Sequence, residues 1–294
     1  MSNGINHRQN EDKSIYMLAA SSQIYQEAKR MCCVFAFFEV WLPFLLAVMQ
    51  IFVRDNDLLS EAVCLVSIAG LFIGKLFQDS INKKKQHAAA IQQEFDTYTY
   101  QMPWNSRVFG EKVNLNELIA DKSQKFFGHE NDKERLKNWY QILADELPLE
   151  KGILLCQREN ICWDAGLRKR YRNLCIVIFS IMVFLILGAG IVQNERTLEF
   201  LRRISFVAPL LYWVYECSSE LNSDIERLER IRNKVIRDDE KTMPKLQEIQ
   251  KDIWEHRAKC YLIPEYLHSI YKNKDEEVFQ VAARLEINRL EDHR

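Results

Sequence analysis

The sequence predicts an all-α membrane protein: four transmembrane helices arranged as two helical hairpins, with a mostly helical cytoplasmic domain. Three observations carry that prediction. Apolar runs at 31–53, 58–77 and 174–193 are each close to the ~20 residues a helix needs to cross a ~30 Å hydrocarbon layer, and a shorter run occupies 204–217. The runs form two pairs, each joined by a few polar residues, as helical hairpins require. Strand-period alternation is sustained nowhere, whereas apolar residues outside the runs recur at spacings of three and four. The 28% of charged residues is thereby segregated from the spans.

In chain order, residues 1–30 are polar with a helical pattern of Ile15, Leu18, Ala19, Ile24 and Tyr25. They form a cytoplasmic N-terminal helix that either lies along the inner membrane face or continues into span one. No cleavable signal pattern is present there. Hairpin one, 31–77, carries Pro43 in its first span, which removes a backbone hydrogen bond and kinks the helix. Its second span has Gly70 and Gly74, small residues that let helices approach closely in lipid. The central region, 78–173, opens with a helical stretch over 81–95. It then reads as short helices over 114–140, with Gly110, Gly128 and Pro148 as punctuation.

Hairpin two, 174–217, contains Gly188 and Gly190 in span three and Pro209 in span four. Span four is led by Arg202 and Arg203. It is either a short spanning helix with snorkelling arginines, a tilted helix beginning near Leu198, or a partly inserted amphipathic one. Residues 218–294 are C-terminal cytoplasmic helices. The first continues span four and has an apolar seam of Leu221, Ile225, Leu228, Ile231 and Val235. A second runs over 243–258 from Pro244, and a third over 276–290. The central and C-terminal regions return to the same membrane face and are expected to pack together.

Basic residues set the orientation. Lys29 and Arg30 precede span one, Lys83, Lys84 and Lys85 follow span two, Arg168 to Arg172 precede span three, and Arg227 to Arg237 follow span four. The positive-inside rule places both termini and the central region in the cytoplasm, with Arg202 and Arg203 dissenting.

Several function classes are disfavoured. A net charge of −1 gives no global attraction for a DNA or RNA polymer. The eight cysteines are scattered, several of them in or beside the spans, and Cys156 and Cys162 lie too far apart for a zinc knuckle. The six histidines have no metal-ligand spacing, and no Gly-rich phosphate loop, His-Glu-x-x-His or nucleophile elbow occurs. We therefore nominate no catalytic residue, metal or cofactor, and an enzyme is not the expected class.

Two groups of residues invite a functional reading. Glu39 lies about 12 Å into span one at ~1.5 Å per residue, and Lys75 near the inner end of span two could approach it. Together they are either a structural pair, with Glu39 charged or protonated, or part of a pore or gate. The second group is Arg158, Asn160, Trp163, Asp164, Arg168 and Arg170, directly before span three. Arginine forks suit phosphate, tryptophan stacks on a base, and asparagine reads a base edge. Topology alone also accounts for a basic run there, and Trp163 for an ordinary core or interface aromatic.

At these residues the chain resembles the SMODS-associating four-transmembrane effectors, a family of bacterial antiphage systems such as CBASS from which pore formation is expected. The resemblance runs through Arg8, Gln9 and Asn10, Leu18 to Ala20 and Tyr25 to Arg30 before span one, then Phe95, Asp96, Pro103, Trp104 and Asn105. It continues through Trp139, Tyr140, Cys156, Gln157, Arg158, Asn160, Trp163, Asp164, Leu167, Arg168 and Tyr171 to Pro264, Glu265, Tyr266 and Tyr271. It implies a multi-pass protein of the bacterial inner membrane, functionally linked to a cognate synthase that makes a cyclic oligonucleotide on infection. That ligand would activate a homo-oligomer that disrupts the membrane and arrests or kills the cell. The family supplies no ligand contacts, so the six nominated residues rest on chemistry and motif position. Two other classes stay open: an interaction protein whose seam from Leu221 to Val235 docks a cytoplasmic partner, and an ordinary channel or transporter.

Overall fold

The computed structural model describes residues 2–42, 44–45, 48–49, 57–129, 133–192, 197–237, 242–267, 270–271, 280–281 and 284. The side chains of 39–40, 57–60, 62–64, 66–76, 189, 197–209 and 237 are outside that description. The described residues are helical, with no strand. Helix α1 is Ile5–Gln9, α2 Asp12–Ala36, α3 Asp57–Thr99, α4 Ser106–Phe109 and α5 Val113–His129. Two 3-10 turns, Lys133–Leu136 and Ile142–Glu146, lead to α6 Leu149–Val192, α7 Thr197–Arg237 and α8 Met243–Lys259. Helix α2 pairs with α3 and α5, α6 pairs with α7, and α8 packs against α3, α6 and α7.

The N-terminal helix belongs to the core. Ile15, Met17, Leu18 and Ile24 of α2 are almost wholly buried and pack with Ala88, Ile91 and Phe95 of α3. The alanines allow the two helices to approach closely. A helix lying on the membrane surface would instead keep that face in lipid, and α2 runs on to Ala36, into the first apolar run. Past Ala36 the helix widens into a π turn over Phe37–Trp41, where the Leu42 N–H reaches back to the Phe37 carbonyl. The sequence supplies the cause: Pro43 has no N–H to give the carbonyl of residue 39.

Helices α3, α6 and α7 run unbroken through 77–78, 173–174 and 217–218, so the expected region boundaries fall within continuous rods. The 114–140 region differs from the expected short helices. Most of it is α5, because Leu115, Leu118, Ile119 and Phe126 recur on one face that docks on the α2–α3 core. The seam of α7 is also occupied from within. Leu221 packs with Leu167 and Tyr171, and Leu228, Ile231 and Val235 pack with Ile161, Ile249 and Ile253. The feature that favoured a docking partner is thus spent on this chain's own helices. The expected helix over 276–290 lies almost wholly outside the described residues, as does Pro43.

Among the described residues one helix, α6, is long and apolar enough to cross a membrane. Large apolar side chains stand exposed along it, including Phe184 at 77% and Val192 at 86%. Phe38, Trp41, Leu45 and Met49 after α2, and Leu211, Tyr212 and Tyr215 of α7, are exposed likewise. Contiguous apolar surface of this kind marks contact with a membrane or another protein.

Glu27 of α2 ties three helices, accepting from Lys84 of α3 at 2.6 Å and Lys122 of α5 at 2.7 Å. Burial opposes its charge, yet the two lysines prevail and lower its pKa from 4.5 to about 2. A depressed folded value contributes stability that is complete above the unfolded pKa and lost as pH falls through the folded one. Glu27→Gln is therefore expected to flatten the loss of stability between pH 4.5 and about 2. Thermal unfolding in detergent across that window measures it, and a variant that declines in parallel with wild type would exclude this contribution.

Candidate ligand-binding site

On α6, Asn160, Trp163, Asp164, Leu167 and Arg168 are spaced at i, i+3, i+4, i+7 and i+8, and so share one face of the helix. That face borders two adjoining cavities of ≈ 470 and ≈ 420 Å³, whose common wall includes Arg135, Trp139, Asn160, Asp164 and Leu167. Volumes of this order are typical of small-molecule sites. The first cavity adds Trp163, Tyr140 and Lys137; the second adds Lys29, Arg168, His256 and Arg257.

The structure thus brings together four of the six nominated residues. Arg158 and Arg170 line neither cavity: Arg158 falls off the shared face of α6, and Arg170, seven residues after Trp163, lies on that face about two turns farther along. The Arg170 guanidinium instead sits 4.5 Å from the centre of the Tyr271 ring. The side chains of Glu39 and Lys75, nominated for a pore or gate, lie outside the described residues.

Arg168 sits at the centre of a buried ion network. Its Nη1 donates to Asp224 Oδ2 at 2.6 Å and to the Tyr261 carbonyl at 2.9 Å, and its Nε lies 3.0 Å from Asp164 Oδ1. Asp164 also meets His256 Nε2 at 2.7 Å. Burial opposes the charge on Asp164, but Arg168 and His256 more than offset it and hold the carboxyl well below the usual range. The Arg168 charge is therefore matched within the protein by Asp224 and Asp164.

A second network forms the floor. Asn160 donates to Tyr140 Oη at 3.2 Å, and Tyr140 in turn donates to Asp96. Asp96 also accepts from Gln250 at 2.7 Å and Arg257 at 2.6 Å, while Phe95 stacks on Tyr140 with ring centres 5.8 Å apart. Burial first, and the Asp96 charge second, push the Tyr140 pKa well up, so the phenol stays a donor. Asn160 is thereby held with its amide fixed at the cavity wall.

Lys29, Arg135, Lys137, Trp139, Tyr140, His256 and Arg257 were not nominated from sequence. Lys29, Trp139 and Tyr140 had a signal, as part of the resemblance. The others reach the cavities through tertiary packing alone.

A family model described as the SMODS-associating 4TM effector domain matches residues 3–285. A probable CBASS effector molecule of Bacillus cereus (strain VD146) is 27% identical over 291 residues, which cover 95% of this chain and 97% of that protein. No solved structure matches the chain.

Proposed function

The chain belongs to the SMODS-associating 4TM effector family, and from that premise we propose that it is a membrane effector of CBASS-type antiphage defence, switched by a cyclic oligonucleotide held in the paired cavities. A cognate synthase supplies that signal. The protein acts by binding and rearrangement rather than by bond making, and permeabilises the inner membrane as a homo-oligomer. Its four spans form two hairpins, with both termini and the paired cavities on the cytoplasmic side.

One observation carries the reading. The second cavity is lined by Lys29 of α2, Gln92 of α3, Asp164 of α6 and Leu228 of α7, the four helices whose sequences lead into or out of the four apolar runs. A ligand there touches the helix that extends from every predicted span. It can shift the bundle only through unequal affinity for its resting and open arrangements, and walls drawn from all four helices make that inequality natural. Trp139 and Trp163 offer ring faces for bases in the first cavity, and Asn160 offers an amide for a base edge.

Stacking on one aromatic side chain is worth about 1–3 kcal/mol per base. Trp163→Ala is therefore expected to weaken binding of cyclic di- and trinucleotides to the detergent-purified protein by about five- to hundredfold. In phage-challenged cells the same variant should lose protection at normal membrane abundance. Retained protection would remove Trp163 from the site. Leakage from liposomes with and without nucleotide separates a triggered pore from a constitutive channel, and leakage indifferent to nucleotide would favour the channel.

A further inference from the structure

A strap formed by residues 259–267 crosses all four long helices where their apolar portions begin or end. Lys85 of α3 donates to the Lys259 carbonyl at 3.0 Å, and Arg168 of α6 to the Tyr261 carbonyl at 2.9 Å. The Tyr261 N–H donates to Asp224 of α7 at 2.8 Å, and Lys29 of α2 is ion-paired with Glu265. Ile263 and Leu267 are buried against Leu167, Tyr171 and Leu221.

These ties differ in kind. Arg168 and Asp224 are 4% and 1% exposed, whereas Lys29 and Glu265 are 22% and 59% exposed. A pair open to water is weak and readily exchanged; a buried one is not. Lys29 and Glu265 also both line the second cavity, where Arg168 and Arg257 are already matched by Asp224 and Asp96. The cavity thus contains a cation whose carboxylate partner is largely open to water.

From this we infer that Lys29 is an anion-binding residue of the second cavity, that the Glu265 carboxylate occupies the place of a ligand phosphate, and that exchanging one for the other loosens the tie between the strap and α2. The inference rests on the nucleotide reading above and adds how that ligand is coupled to the spans. Lys29 lies two residues before the first apolar run, so the exchanged contact sits at the root of span one.

The test uses the full chain in detergent, with cyclic di-AMP, cyclic di-GMP and inorganic pyrophosphate as probes and hydrogen exchange at 260–267 as the readout. Glu265→Gln, which removes the internal competitor, should exchange faster at the strap without ligand and bind the probes about two- to fivefold more tightly. Lys29→Ala should bind them about tenfold or more weakly, and its strap should no longer respond to them. Wild type should show faster strap exchange when pyrophosphate or a nucleotide is added. Strap exchange in Glu265→Gln equal to wild type, or probe binding that leaves the wild-type strap unchanged, would overturn the exchange mechanism. A strap that responds to pyrophosphate in a protein that binds neither nucleotide would uphold the Lys29 site and overturn the nucleotide reading instead.

Discussion

Replacing Asp224 with alanine is expected to destabilise the protein by about 3–5 kcal/mol, the usual cost of stranding one member of a buried ion pair. The carboxylate is 1% exposed and accepts from Arg168, from the Tyr261 N–H and, at 3.3 Å, from Arg227. Without it, the nearly buried Arg168 guanidinium keeps Asp164 as its anionic partner among the described residues, and Asp164 is already shared with His256. Thermal unfolding followed by tryptophan fluorescence in detergent measures the loss. A double variant, Arg168→Met with Asp224→Leu, is expected to recover much of it, because a buried pair replaced by apolar groups of similar size is often close to neutral. The cycle isolates the coupling between the two side chains. A single variant within about 1 kcal/mol of wild type would mean that the ion pair does not fasten α6 to α7.

Periodicity in the sequence identifies buried faces but not what buries them. The seam from Leu221 to Val235 was legible as an apolar stripe, yet a stripe looks the same whether a foreign partner covers it or Ile161 and Ile253 do. Helix α8 was legible because Pro244 stands in its first turn, where a missing N–H costs nothing. On α6 the helical phase separates Asn160, Trp163, Asp164 and Arg168 from Arg158, whereas Arg170 shares the phase of Trp163 and is drawn to Tyr271 beyond the cavities. Nominating arginines by type and nearness in sequence ignored that phase. The role of Arg168 was illegible for another reason: its main partner, Asp224, is on α7, and nothing local distinguishes an arginine that will be buried against a distant carboxylate from one that will face a ligand. Lys29 and Arg257 were missed on the same ground. They reach the cavity from α2 and α8, elements far from the cluster in sequence and brought to it only by packing.

Asp96→Ala is expected to cost at least as much as Asp224→Ala, and to impair ligand binding although Asp96 lines neither cavity. The carboxylate is 1% exposed and accepts from Tyr140, Gln250 and Arg257, so its removal strands a guanidinium and a phenol and takes one of two acceptors from the Gln250 amide, which keeps Gln93. Breaking the Arg257 pair alone accounts for about 3–5 kcal/mol, and each neutral donor left without a partner adds about 1–3 kcal/mol where water cannot replace it. Tyr140→Phe separates the consequences. It removes the donor to Asp96 and the acceptor for Asn160 while leaving Arg257 and Gln250 in place. Its stability cost should therefore be modest, about 0.5–3 kcal/mol, whereas its effect on nucleotide affinity should approach that of Asp96→Ala, because both free the Asn160 amide from its fixed orientation. Melting temperature and affinity measured on the two variants give the comparison. A Tyr140→Phe protein with wild-type affinity would show that the network under the cavity holds the fold together without orienting Asn160 toward a ligand.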